Sequence, residues 1–99
     1  MVYIIFEVKK DQLGKVNELL KDDLVNRQSI LTRDASALGI EKDVFYTKIE
    51  GNEDGLKRAE ELGKEFEFVK LDEEEAKKID AKIKEEEESA ADGMGMIFG

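Results

Sequence analysis

Four stretches of this sequence gather side chains that could do chemistry. Lys9, Lys10 and Asp11 stand together at the end of an apolar run. Two ammonium groups beside a helix start can hold an anion, because the first backbone N–H groups of a helix have no internal partner. The run "DEEEAKKIDAKIKEEEE" (Asp72 to Glu88) masses carboxylates that could ligate a divalent cation. It lacks the alternating Asp, Asn and Gly of a calcium loop, and lysines interleave, so a solvated helical face is expected and no metal. "NEDG" (Asn52 to Gly55) has the look of half a metal loop, but a helix start accounts for each of its residues. In "LTRDAS", Arg33 and Asp34 are adjacent, so in a strand they point to opposite faces and form no catalytic pair. An ion pair with a neighbouring strand is the expectation for them.

What is missing narrows the chemistry further. The 99 residues include no His, Cys, Trp or Pro. Disulfides, thiolate nucleophiles and Cys-ligated metal centres are excluded, as are His-based triads and the usual general base near neutral pH. An enzyme would have to be built from carboxylates, Lys, Arg, Ser, Thr or Tyr. The reading is therefore non-enzymatic, with no cofactor. The formal net charge of −9 disfavours nucleic acid and anionic membrane surfaces, which require clustered cations. No apolar run reaches the roughly 18–20 residues of a membrane span, and "MVYIIFEVKK" has no positive region before it to make a signal peptide. A cytoplasmic protein is expected, monomeric or weakly dimeric.

These residues need elements to hold them. "VYIIFEV" is β-branched and aromatic, with Val2, Ile4, Phe6 and Val8 on one face and Tyr3 and Ile5 on the other. A strand apolar on both faces belongs inside a sheet. Asp11 is expected to cap a helix carrying Leu13, Val16, Leu19, Leu20 and Leu24, ending near Val25 to Arg27. "QSILTRDASALG" admits either the continuation of that helix or a strand. The helix would run about 27 residues, long for a domain this small, so the expectation is a strand at 29–35 paired with 43–50. "DVFYTKIEG" reads as a strand, followed by a helix capped at Asn52 and stopped at Gly63. "EFEFVKL" reads as a fourth strand. Asp72 then caps a third helix whose stripe, Ala76, Ile79 and Ile83, is thin enough to put it at the edge of the domain or projecting from it. The order strand, helix, strand, strand, helix, strand predicts an α+β, ferredoxin-like βαββαβ sandwich over residues 1–71, with an acidic helix at 72–88 and a flexible tail at 89–99.

The charge changes at that boundary. Acidic residues outnumber basic ones by 15 to 12 up to Leu71 and by 10 to 4 after it. Beyond the acidic run comes "GMGMIFG", an apolar tip of Met94, Met96, Ile97 and Phe98 on an otherwise hydrated segment. Glutamates Glu85 to Glu88 keep the segment extended by self-repulsion, and methionine suits an adaptable contact. These four residues are the candidate partner-binding site; the alternative is that they fold back onto an exposed patch of this domain or of a second copy.

Two resemblances bear on function. "IKEEEESAADGMGMIFG" resembles the C-terminal end of the acidic stalk proteins of archaeal and eukaryotic ribosomes, in which a Glu-rich segment and a small-residue stretch lead to a short apolar tip. The body does not look like a stalk protein, and Met94 and Met96 stand where that family more often has Leu. The resemblance implies a docking tip whose partners are translation GTPases. Separately, "VFYTKIEGNEDGLKRAEEL" resembles the second half of ACT-type small-ligand-sensing domains. That likeness implies an alternative function, with a small ligand near the Lys9, Lys10 and Asp11 turn.

Overall fold

Strands and helices alternate as the apolar pattern requires, and the chain closes into three layers. The computed structural model describes the backbone of residues 2–98 and the side chains of residues 2–87. Strand β1 (Val2–Lys9) leads through a single 3-10 turn, Lys10–Gln12, into helix α1 (Leu13–Leu20). A second 3-10 turn, Val25–Arg27, precedes strand β2 (Ser29–Asp34). Strand β3 (Val44–Gly51), helix α2 (Glu53–Glu65), strand β4 (Val69–Lys70) and helix α3 (Glu73–Phe98) follow. The sheet is antiparallel, in the order β2-β3-β1-β4.

The segment that admitted two readings is a strand. β2 pairs along β3 from Ser29 opposite Glu50 to Asp34 opposite Phe45. Its end is a 3-10 turn, Ala35–Leu38, closed by Gly39 at φ 75°, a backbone conformation that glycine adopts without a Cβ penalty. β1 lies between β3 and β4, as its two apolar faces demanded.

Alternation along the strands sorts the core into two layers. Ile4, Phe6, Val8 and Ile49 point toward Val16 and Leu19 of α1 and Leu56, Ala59 and Leu62 of α2. Ile5 and Tyr46 point the other way, onto Ala35, Leu38 and the α3 residues Ala76, Ile79 and Ile83. The helix expected at the edge or projecting is instead the cover of the sheet's second face. Its three apolar residues suffice because Ala35 and Leu38 share the cover of that face and because charged groups complete the contact.

Three other expectations are corrected. Asp11 does not cap α1. The chain enters through the 3-10 turn, where the Gln12 side chain accepts from the Lys9 N–H at 3.2 Å. Helix α1 stops at Leu20, short of Val25, and the Asp22 carboxylate then accepts from the N–H groups of Leu24 and Val25 to start the next turn. Gly63 is not the end of α2. It lies buried within the helix, where a Cβ would come 2.6 Å from the Phe6 ring, so glycine is what lets helix and sheet approach.

The true end of α2 is a Schellman motif four residues on. The Phe68 N–H donates to the Gly63 carbonyl at 2.8 Å and the Glu67 N–H to Lys64 at 3.2 Å, with Glu67 at φ 62° in the position glycine usually takes. That geometry consumes most of the expected fourth strand. Phe66 and Phe68 become loop residues whose rings lie tilted to each other with centroids 5.7 Å apart, and the Phe68 ring is also 5.9 Å from that of Phe6. Only Val69 and Lys70 pair with β1. The caps read at Asn52 and Asp72 are present: Asn52 accepts from Gly55 and Asp72 from Glu75, each at 2.8 Å.

Candidate functional site

The Lys9, Lys10 and Asp11 turn is fully exposed, and its three residues do line one open depression at the end of β1. The depression also holds Glu7, Lys42 and Asp43, so three cations face three carboxylates and no net field draws an anion. Most of the charge is already paired. Lys10 Nζ lies 2.9 Å from Asp43 and 3.9 Å from Asp34, and Lys42 Nζ lies 3.3 Å from Glu7. The hydrogen bond from Lys10 to Asp43, then the field of Asp34, raises the Lys10 pKa and holds the ammonium charged. These are exposed pairs of small energetic weight, but they occupy the donors that a ligand would need.

Polar chemistry is concentrated under α3. Lys48 of β3 passes its ammonium over the Tyr3 ring, 4.8 Å from the centroid, and contacts the carboxylate of Asp80. Asp80 is buried on the sheet-facing side of α3 and also accepts from Lys84 at 3.2 Å. Burial pushes the Asp80 carboxyl up, but the hydrogen bonds from Lys48 and Lys84 together outweigh it and leave the pKa below the ordinary value. One turn and a half further on, Arg33 Nε donates to Glu86 at 2.8 Å, with Glu87 3.8 Å from the guanidinium. Arg33 thus pairs with the helix above it and not with a neighbouring strand. Asp34 instead accepts from the Ser36 N–H and hydroxyl, both at 2.9 Å, and closes the turn after β2. The Tyr46 hydroxyl, on the same side of the sheet, donates to Glu7 at 3.3 Å. Burial first and the Glu7 charge second push the Tyr46 pKa up to about 12.

These groups form a charge-paired clamp between the sheet and α3. Among the described residues no buried side-chain polar atom lacks a hydrogen-bond partner, and no cluster of three metal-ligating side chains occurs. No described helix is long and apolar enough to cross a membrane. Met94, Met96, Ile97 and Phe98, expected to form a partner-binding tip, lie outside the described side chains. The helix backbone is assigned through Phe98, past the expected boundary at Glu88.

The clamp was readable only in part. Asp80 to Lys84 was visible as a helical pair at i,i+4. The sign that Asp80 also faces inward is its spacing, four after Ala76 and three before Ile83, on the apolar stripe itself. Nothing in the linear sequence joins Lys48 to Asp80 or Arg33 to Glu86.

A second feature lies where α3 begins. Between the N-terminal half of β1 and the first turn of α3 runs a groove of about 430 Å³, floored by Val2, Tyr3, Ile4, Leu71 and Ala76.

Comparison with known protein families, with curated proteins and with solved structures finds no match to this chain.

Proposed function

We propose that this chain is a non-enzymatic protein-interaction module. Its body is a ferredoxin-like βαββαβ unit with a third helix added across the open face of the sheet. The tip Met94, Met96, Ile97 and Phe98, at the far end of that helix, engages a protein partner. The stalk-protein resemblance of the tail makes a translation GTPase the partner class to try first.

The observation that supports this reading is the grip on α3. Ala76, Ile79 and Ile83 bury against the sheet, Lys48 holds Asp80, and Arg33 holds Glu86 beside Glu87. The body therefore fixes the helix up to the start of the tail, and whatever follows is presented from a rigid base. Such a mount limits the ordering entropy that a short apolar anchor must overcome on binding.

The test is capture by immobilised full-length protein of translation GTPases supplied in purified form. Wild type retains one of them, and Phe98→Ala, which removes the largest apolar side chain of the tip, loses most of the signal. Equal retention by the two proteins rejects the proposal.

A second reading, with which the strand order is compatible, is small-ligand sensing of the ACT type at the Lys9, Lys10 and Asp11 turn. Calorimetric titration with free amino acids checks it: heat that disappears in Lys10→Ala supports it, and no heat at millimolar ligand removes it.

A further inference from the structure

β1 is a central strand that is bare along half of one side. It pairs with β3 over its full length, Val2 opposite Gly51 to Lys9 opposite Val44. On the other side β4 covers only Phe6 and Glu7, and the last bond is from the Leu71 N–H to the Ile5 carbonyl at 2.9 Å. In an antiparallel ladder the main-chain groups of alternate residues face the same neighbour. Tyr3 therefore turns its N–H and C=O toward the side where β4 would have continued. The chain has already left that path at Asp72 to enter α3, and no described residue replaces it. The bare half-strand forms one wall of the groove described above, which Lys70, Asp72, Glu73 and Lys77 also line, and Val2, at 50% exposure, stands at its mouth.

The chain also contains a segment with the pattern such a groove takes. Met94, Met96 and Phe98 are spaced two apart, with Gly95 and Ile97 between them. In an extended chain the three largest side chains of the tip share one face. Residues 93–99 carry no charged side chain, so the segment can be buried without leaving an unpaired charge. Gly93 and Gly95 each weaken a helix by roughly 1 kcal/mol relative to alanine, so strand formation there gives up little.

The distance decides whose tip it is. Ala76 and Lys77 of α3 line the groove, and the helix runs from there to Phe98. At 1.5 Å per residue, Met94 lies about 27 Å along the axis from its own groove. A helix clamped to its own sheet through Glu86 carries the tip away from that groove.

We infer that the groove beside the N-terminal half of β1 accepts residues Met94–Phe98 of a second copy of this chain, added as a strand next to Tyr3. The inference rests on the reading of the tip as a docking peptide and supplies its regulation: self-association occupies the tip and removes it from other partners. Two chains of net charge −9 repel, so the association strengthens as salt screens them.

The test uses full-length protein throughout. 15N-labelled Phe98→Asp, whose own tip is disabled, is titrated with a synthetic peptide of residues 90–99. The expected result is progressive amide shifts at Tyr3, Ile4, Leu71 and Ala76. Adding Val2→Asp, an exposed position that the fold tolerates, weakens the apparent affinity by about tenfold. In sedimentation, the wild-type mass rises from one chain toward two with concentration, and Phe98→Asp stays at one. Shifts elsewhere, or none at millimolar peptide, overturn the inference. So does a wild-type protein that remains a single chain at every concentration. GTPase capture that depends on Phe98 while the groove stays silent overturns this inference alone, whereas capture indifferent to Phe98 removes the hook reading beneath it.

Discussion

The two faces of the sheet are closed by different physics. Toward α1 and α2 the contact is an aliphatic and aromatic core, with Phe6, Phe68, Leu19 and Ile49 buried and no buried titratable group among the described residues. Toward α3 the apolar contribution from the helix is Ala76, Ile79 and Ile83, and the rest is Asp80 between two lysines, Arg33 against Glu86, and the Tyr46 hydroxyl on Glu7. Apolar burial scales with area and has no protonation dependence of its own, whereas charge pairing depends on both pH and salt. One small domain thus has a durable face and a conditional one. The conditional face is the one that holds the helix leading to the tip.

The largest effect expected is on the durable face. Phe6→Ala removes a ring packed on Gly63 and Phe68, and large-to-small changes of this kind cost about 3–5 kcal/mol. Urea unfolding should show this loss, and a cost under about 1 kcal/mol would mean that the α1/α2 face is not the main source of stability.

On the conditional face the informative comparison is between one substitution and two. Asp80→Ala leaves Lys48 buried without its carboxylate and should destabilise by about 2–4 kcal/mol, toward the low end because Lys84 is exposed. Lys48→Met combined with Asp80→Leu should recover most of that loss, since an apolar pair of similar volume replaces a desolvated ion pair. If the double substitution is as damaging as the single one, the pair contributes more than mutual neutralisation.

Next comes the response to pH, which should separate the faces in alkali; in acid both respond, because Asp22, bonded to Arg58 of α2, is also held below its ordinary value. The folded Asp80 pKa lies below the ordinary 3.8, so its contribution is present above that value and is lost as pH falls through the depressed folded pKa. Tyr46 works in the opposite sense. Its folded pKa of about 12 exceeds the ordinary 10.0, so its contribution is intact below pH 10 and is lost as pH rises toward 12. Methyl spectra should show Ile5, Ile79 and Ile83 loosening before Ile4 and Ile49 in strong alkali. Simultaneous loosening of both sets would contradict the division.

The smallest expected effect belongs to the turn that closes α2. Glu67 occupies a left-handed conformation that suits glycine, so Glu67→Gly should stabilise the fold by about 0.5–1 kcal/mol. Thermal unfolding would show a modest rise in midpoint, and a fall would indicate that the Glu67 side chain has a partner beyond the turn.

Much of this architecture was readable in advance, for identifiable reasons. β1 and β3 alternate cleanly between two apolar faces, and Asn52 and Asp72 bond the N–H three residues on, so those elements follow from local rules. The end of α2 was misplaced because glycine has two uses. Gly63 looked like a helix stop but serves close packing against Phe6, while an ordinary glutamate takes the stop conformation. β4 was overestimated because Phe66 and Phe68 are apolar for a loop that is buried. The role of α3 was hidden because three apolar residues signal a marginal helix, and the sequence of a helix does not show which strand lysine or arginine will meet it. The Lys9, Lys10 and Asp11 cluster was visible as a group, but its neutralisation by Glu7, Asp34 and Asp43 required the fold to bring distant residues alongside.

The central place of β1 also sets a timetable for biosynthesis. It is made before its full-length partner, which ends at Gly51, 42 residues after Lys9. At 5–20 residues per second a nascent chain waits roughly 2–8 s before that strand pair can form. β4 and α3 come later still, so a strand apolar on both faces spends its early life uncovered. Nascent chains of this protein should therefore engage holding chaperones in the interval, and release should track the emergence of β3 and not of α1.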